Sequence, residues 1–325
     1  MRIQVIGGGS WGLAITRVLA LNGHNVRLWC RSEDESRGLR ETRESTTYLP
    51  GVLIPESVEI DRNIDADVDM VIYAVPSHAM RMVVPQFIFR GNPIRVSVAK
   101  GIENDTLLRM SEVIALLAPG SPVVSLSGPS HAEEVGRGLP ASVVAASSDG
   151  AARHAVQDAF FCGTFRVYTS PDIIGVELGG SLKNVVAIAA GVCDGFGLGD
   201  NAKSALITRG LAEMARLGVA CGANPLTFAG LSGMGDLITT CTSKHSRNRA
   251  VGEAIARGKT LDEVIQGSHM VAEGIRTTQS VHALSKRMGV DLPLAEATYQ
   301  VLFENVSARE AIEGLMTREA KPEWP

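Results

Sequence analysis

Residues Ile3-Gln4-Val5-Ile6-Gly7-Gly8-Gly9-Ser10-Trp11-Gly12-Leu13 decide the fold of the first half of the chain. A short apolar run passes into G-x-G-x-x-G, and the apolar-periodic stretch 13–21 follows. Gly7 permits the tight turn, Gly9 lets backbone approach a pyrophosphate, and Gly12 lets a helix pack against the strand, with the phosphates at the helix N-terminus. A purely structural glycine turn accounts for the motif alone. It does not account for the strand before it, the helix after it and the next strand, Asn25 to Trp29, so the stretch predicts a dinucleotide site. At the end of that second strand stands Cys30-Arg31-Ser32, where an acid would bond a ribose 2′-hydroxyl. The Arg31 guanidinium suits a 2′-phosphate, so NADP(H) is expected to be accepted, while Glu33, Asp34 and Glu35 keep NAD(H) open.

Working outward, strands are expected at Ile3 to Ile6, Asn25 to Trp29, Met70 to Ala74, Ile94 to Ala99, Pro122 to Leu126, Ser142 to Ala145 and Phe165 to Tyr168. Several are continuous Val and Ile runs, as strands buried on both faces should be, and helical stretches separate them. That pattern predicts an α/β Rossmann-type parallel sheet covered on both sides. After Tyr168 the pattern is helical throughout: Ile173 to Val192, Lys203 to Ala220, a helix opened by a Thr260-x-x-Glu263 capping box, Thr277 to Met288, and Leu294 to Phe303. The expected organisation is a dinucleotide-binding domain over 1–172 and an all-α substrate domain over 173–325.

At 325 residues the chain is long enough for two such cores. Its 31 basic and 35 acidic residues nearly cancel, and aromatics are only 5%, which argues against a nucleic-acid partner. Five scattered cysteines without C-x-x-C spacing point to reduced thiols, and no metal constellation is apparent. No uninterrupted apolar run suits a membrane span, and Met1-Arg2-Ile3 leads into a strand rather than a signal peptide, so a cytoplasmic location is expected.

Two lysines stand in unusual places. Lys100 ends the strand Val96-Ser97-Val98-Ala99, on the edge of the sheet that faces ligands in open α/β folds. Lys183 lies in Leu182-Lys183-Asn184-Val185-Val186-Ala187, a helix too apolar and small-sided for a surface. Burying an ammonium is costly unless it is paired or loses its proton, and the second outcome makes a proton donor or acceptor; the bland alternative is a snorkelling or structural lysine. Asp236, alone in an apolar, glycine-rich turn, is the obvious partner for Lys183. Ser246-Arg247-Asn248 precedes a helix and could hold an oxyanion or phosphate, although such residues are often merely solvated. Gly258-Lys259-Thr260 mimics a phosphate loop, but its helical context rejects it, and Thr260 reads as a helix cap. The stretch 195–200 reads as an interhelical loop. His78 and His131, near strand ends, read as ordinary.

With these residues assembled, the chain resembles the bacterial-type NAD(P)-dependent sn-glycerol-3-phosphate dehydrogenases from Gly7 to about Met316. The motifs that carry the resemblance include Ala99-Lys100-Gly101-Ile102-Glu103, Ser127-Gly128-Pro129-Ser130-His131-Ala132-Glu133-Glu134, Glu177-Leu178-Gly179-Gly180-Ser181-Leu182-Lys183-Asn184, Gly197-Leu198-Gly199-Asp200-Asn201-Ala202-Lys203, Gly235-Asp236-Leu237, Ser246-Arg247-Asn248-Arg249 and Val271-Ala272-Glu273-Gly274. The resemblance implies reversible hydride transfer between dihydroxyacetone phosphate and sn-glycerol 3-phosphate, supplying phospholipid synthesis. It also implies a helical domain like that of 6-phosphogluconate dehydrogenase.

By the same resemblance Lys183 is the general acid and base, Asp236 lies beside it, and Lys100 holds substrate and cofactor in register. Gly128 and Ser130 border the substrate, and Ser246, Arg247 and Asn248 grip it. Ser10, Trp11, Arg31, Tyr48, Lys100, Ala132, Arg247, Val271 and Glu273 contact the cofactor, no metal takes part, and the enzyme is a homodimer. His131 departs from the family pattern, which usually has Phe there, as does Lys244-His245. Competing readings are a related two-domain dehydrogenase of another small hydroxy acid or phosphate, and a non-catalytic dinucleotide sensor. The first needs a different clamp from Ser246-Arg247-Asn248. The second is disfavoured by the presence of both Lys183 and Asp236.

Overall fold

The computed structural model describes residues 1–267, 272–320 and 322–323. Ten strands fall in the first half: β1 (Arg2–Ile6), β2 (Asn25–Trp29), β3 (Glu44–Ser45), β4 (Leu49–Leu53), β5 (Glu59–Asp61), β6 (Met70–Tyr73), β7 (Ile94–Ser97), β8 (Val123–Ser127), β9 (Ala141–Ala146) and β10 (Phe165–Ser170). Between them lie α1 (Ser10–Leu21), α2 (Glu33–Thr42), α3 (Met80–Val83), α4 (Met110–Leu117), α5 (Ala132–Gly136) and α6 (Gly150–Phe160). Eight strands form one sheet in the order β10-β9-β8-β7-β6-β1-β2-β5, and β3 and β4 make a separate hairpin.

The sheet is parallel with one exception. β8 and β9 pair antiparallel, Leu126 opposite Ala145, a local departure within the expected Rossmann-type parallel sheet. The segment joining them carries only the five-residue α5, so the chain turns back beside β8 where its neighbours use longer crossovers. Three strands were not expected from the sequence. β5 is a three-residue edge strand on β2, and β4 contains Pro50 and Gly51, which the strand pattern penalises.

The reason the sheet forms is visible in its burial. β6 is buried at every position, and both faces are covered. Leu13, Ile15 and Leu19 of α1 pack with Val156 and Phe160 of α6 on one face. Met80, Val113 and Ile114 from α3 and α4 close the other over Val71 and Tyr73. The β3–β4 hairpin rests on α1 and α5.

From Ile173 onward the described residues hold helices and no strand, as expected. These are α7 (Ile173–Phe196), α8 (Gly199–Ala220), α9 (Pro225–Phe228), a π-helical turn at Leu231–Gly235, α10 (Asp236–Thr242), α11 (Arg247–Ala256), α12 (Leu261–Gln266), α13 (Glu273–Met288), α14 (Pro293–Phe303) and α15 (Ala308–Met316). The stretch expected as an interhelical loop is shorter than it read. α7 runs to Phe196, Gly197 closes it in the left-handed conformation, and α8 begins at Gly199. Thr260 caps α12 through a capping box, as its spacing predicted.

α7 is the axis of the helical domain and is buried almost continuously from Gly175 to Cys193. Among the described helices it is the one long and apolar enough to cross a membrane, but 83% of its apolar window is buried inside the protein, which makes it a core helix. Small residues let α11 lie against it. A Cβ at Gly191 would stand 1.9 Å from the Arg249 carbonyl oxygen, and one at Gly252 would stand 1.9 Å from that of Ile188. Gly252 is therefore a packing residue, in keeping with the rejected phosphate-loop reading.

Candidate active site

The glycine loop has the geometry its sequence demands. Gly7 has φ +120°, and a Cβ there would lie 2.4 Å from the Ala74 carbonyl oxygen; one at Gly12 would lie 2.0 Å from that of Gly7. Gly9 is different, because the space beyond it is open. It precedes α1, whose N-terminus has no side-chain cap and no acid in its first turn. Orphan backbone N–H groups, the positive end of the helix dipole and a cleared approach are what a pyrophosphate requires, so these residues fit a dinucleotide. Arg31 is exposed directly after β2, and Ser32 caps α2. Trp11 is half-buried beside Phe165, its indole N–H without a partner among the described residues. Tyr48 is half-buried at the hairpin, and Ala132 is the first residue of α5. Val271 lies outside the described residues.

At the carboxyl ends of the strands, the two domains share one charged cluster. Lys183 donates to Asp236 Oδ1 at 2.5 Å and to Thr240 Oγ1 at 2.7 Å. Lys100 donates to Asp236 Oδ2 at 2.8 Å and to the Gly128 carbonyl at 2.9 Å. A single carboxylate thus bridges two ammonium groups, one from each domain. Lys183 is only 5% exposed and Asp236 only 1%. Burial lowers the Lys183 pKa to about 8 against the pull of Asp236, with Lys100 adding to the fall. Burial opposes ionisation of Asp236 as well, but Lys100 and Lys183 prevail and hold its carboxyl below the usual range. An ammonium has three donors, so each lysine retains one beyond these bonds.

The backbone around the cluster is close-packed for a reason. Gly128 has φ +142°, and a Cβ there would meet the Val143 Cα at 2.9 Å. Ser130 donates to the Gly128 carbonyl at 2.9 Å. Asp236 follows the π-helical turn, in which a Cβ on Gly233 would stand 2.1 Å from the Phe228 carbonyl oxygen. Single π turns of this kind occur often at functional sites because they re-aim the next side chain.

The Ser246-Arg247-Asn248 stretch is divided in its duties. Ser246 Oγ accepts from the Arg249 amide as the cap of α11. Asn248 donates to Asn184 Oδ1 at 2.9 Å and accepts from the Gly274 amide at 2.9 Å. Asn184 in turn donates to the Lys100 carbonyl at 3.2 Å. These amides lock α7, α11 and α13 to the strand end that carries Lys100. Arg247 is the exposed member and lies within the field of Glu273. Glu273 accepts from the Ser77 amide at 2.8 Å, across the domain junction, and burial pushes its carboxyl up.

The sequence reading missed several residues here. Thr240, and Asn184 as a strut, were not singled out for these roles, nor was Glu177, which accepts from Arg109 Nη1 at 2.7 Å and from the Ser111 amide at 2.8 Å and so ties α7 to the start of α4. Thr240 was findable, since it stands four residues after Asp236 on one helical face and bonds back to the Asp236 carbonyl. The others pair residues distant in sequence and left no local signal.

A model of the N-terminal domain of NAD-dependent glycerol-3-phosphate dehydrogenase matches residues 2–153, and one of its C-terminal domain matches residues 172–313. The chain belongs to the NAD-dependent glycerol-3-phosphate dehydrogenase family. It is 50% identical to glycerol-3-phosphate dehydrogenase [NAD(P)+] of Pelotomaculum thermopropionicum over 98% of this chain and 93% of that one. It is 52% identical to the enzyme of the same description from Chlorobium phaeobacteroides over 99% of both. The crystal structure of a glycerol-3-phosphate dehydrogenase from Coxiella burnetii, 36% identical, superposes with a TM-score of 0.93 over 98% of this chain and 99% of that one. The dehydrogenase family thus accounts for the Rossmann-type sheet, for the helical domain and for a chain that is an NAD(P)-dependent oxidoreductase.

Proposed function

We propose that this protein interconverts dihydroxyacetone phosphate and sn-glycerol 3-phosphate, using NADP(H) or NAD(H), through residues of two domains, 1–172 and 173–325. The observation that supports this reading best is the buried Lys183–Asp236–Lys100 bridge at the strand ends. When bound, the nicotinamide cofactor supplies or takes up the hydride. Lys183 gives its proton to the substrate oxygen as charge develops there and takes it back in the reverse direction. Its depressed pKa makes it a competent acid near neutrality. Lys100 keeps Asp236 neutralised when Lys183 is deprotonated, so the cluster never holds a lone buried anion. Gly128, Ser130, Ser246 and Asn248 shape the substrate side, and Arg247, which is exposed, grips the phosphate. Gly7, Gly9, Ser10, Trp11, Gly12, Arg31, Tyr48, Ala132, Val271 and Glu273 serve the cofactor.

The test is NADPH oxidation with dihydroxyacetone phosphate beside a panel of other small ketones and keto acids. Turnover is expected with the phosphorylated three-carbon ketone far above the rest. Preference for another ketone would favour the related-dehydrogenase reading, and tight NADPH binding without turnover would favour a sensor.

We also read the protein as a cytoplasmic homodimer joined through its helical domain. All five cysteines are free thiols, and Leu226 and Met316 are exposed apolar residues on that domain. Light scattering after gel filtration should give twice the chain mass.

A further inference from the structure

Glu35 stands in the first turn of α2 with a side-chain position that helix formation alone does not explain. Ser32-Glu33-Asp34-Glu35 has the spacing of a capping box, as do Thr260-x-x-Glu263 and Ser307-x-x-Glu310. In the latter two the glutamate closes the box, Glu263 accepting from the Thr260 amide at 2.8 Å and Glu310 from the Ser307 amide at 3.0 Å. At α2 only half of it forms: Ser32 Oγ accepts from the Glu35 amide at 3.1 Å, while the Glu35 carboxylate lies against the glycine loop. A Cβ on Gly8 would stand 2.7 Å from Glu35 Oε1 and 2.8 Å from Cys30 Sγ, directly after β2. The two neighbouring acids are occupied, Glu33 by Arg40 at 2.6 Å and Asp34 by Arg37 at 2.5 Å. Among the described residues no hydrogen bond or ion pair holds the Glu35 carboxylate. Glu35 keeps part of its surface in solvent, and the loop residue after Gly8 is Gly9, beyond which the space is open.

We infer that Glu35 accepts a hydrogen bond from the 2′-hydroxyl of the cofactor's adenosine ribose and opposes a 2′-phosphate there, so that Glu35 and Arg31 between them set the balance between NAD(H) and NADP(H). This rests on the cofactor placement proposed above. In a Rossmann-type site the pyrophosphate lies over the glycine loop, and an acid at the end of the second strand meets the ribose. Here that strand end carries Cys30 and Arg31, and the carboxylate found against the loop and Cys30 comes from α2 instead. An unpaired carboxylate accepts from a ribose hydroxyl and repels a phosphate, whereas the exposed guanidinium of Arg31 attracts one. The two residues therefore pull the preference in opposite directions.

The experiment titrates NADH and NADPH into wild type, Glu35→Gln and Glu35→Ala by cofactor fluorescence, and titrates AMP and adenosine 2′,5′-bisphosphate, which carry no nicotinamide, by calorimetry. Gln keeps the length and an acceptor oxygen but removes the charge, and Ala removes both. Glu35→Gln should lower the Kd for NADPH about tenfold with little change for NADH. Glu35→Ala should lower the NADPH Kd by a similar factor and raise the NADH Kd about tenfold, the scale of one charge-assisted hydrogen bond. The bisphosphate should follow NADPH, and AMP should follow NADH. An unchanged ratio of the two dinucleotide Kd values overturns the inference, whether neither moves or both move together as a merely structural role would give. A shift seen with the dinucleotides and absent from the adenine nucleotides overturns it too. Should one variant fail to fold, the other decides by the same ratio. Wild type that binds neither dinucleotide would overturn the cofactor placement itself, a distinct result.

Discussion

In the proposed reaction Lys183 is the proton donor, since the fold buries it and supplies a carboxylate and a hydroxyl that accept from its ammonium. Replacing Lys183 with Ala should lower kcat for ketone reduction by about 10²- to 10⁴-fold, the range of a lost general acid, while leaving NADPH binding nearly intact. Stopped-flow turnover and cofactor fluorescence separate the two effects, and near wild-type kcat would refute the assignment. The pH dependence follows from the same group. With a pKa near 8, Lys183 is protonated below that value and neutral above it. Reduction needs the proton and should decline as pH rises through about 8, whereas oxidation of glycerol 3-phosphate needs the free amine and should rise over the same interval. At the other end of the crevice Arg31 stands exposed after β2. Arg31→Asp should move the NADPH/NADH ratio of kcat/KM toward NADH by an order of magnitude or more, and an unchanged ratio would show that the 2′-phosphate lies elsewhere.

Elements reach the site by close backbone approach, which only small residues allow. α7 and α11 meet through Gly191 and Gly252, each with no room for a methyl group against the facing carbonyl. Gly252→Ala should force the helices apart and destabilise the protein by about 2 kcal/mol, seen as a lower Tm. Because Asn248 on α11 is bonded to Asn184 on α7, the same change should also raise KM for the substrate. The helices themselves were largely legible. The periodicity of Ile173 to Val192 and the capping box at Thr260 are local signals, and both appear where they were read. The antiparallel β8–β9 pair was not legible, because strand direction depends on where the joining segment packs, and a period-2 pattern is silent on that. β5 escaped for a related reason: three residues at a sheet edge owe their extension to β2, not to their own composition.

For the whole molecule, the decisive contacts are those that tie the sheet to the helices. Glu177 on α7 accepts from Ser111 and from Arg109, at the start of α4, and is buried with them. Arg109 keeps its ion pair with Glu112, but the Ser111 amide and hydroxyl lose their acceptor, so Glu177→Ala should lower unfolding free energy by about 2 kcal/mol, measurable by urea denaturation. Ser77 with Glu273 and Lys100 with Asp236 make the same junction at the cleft, so loss of Glu177 should weaken substrate binding as well as stability. The sequence by itself determined the glycine loop, the alternation of strands and helices, the change to helices after Tyr168, and the oddity of Lys183 and Asp236 in apolar surroundings. These are local facts, set by backbone sterics, by side-chain periodicity and by the penalty for isolated charge. Only the tertiary structure decided that one carboxylate serves both Lys100 and Lys183, that Asn184 braces the strand end, and that His131 faces His245 across the cleft. Each joins groups tens of residues or more apart, and only packing of the whole chain, which buries Lys183, lowers the pKa of its ammonium.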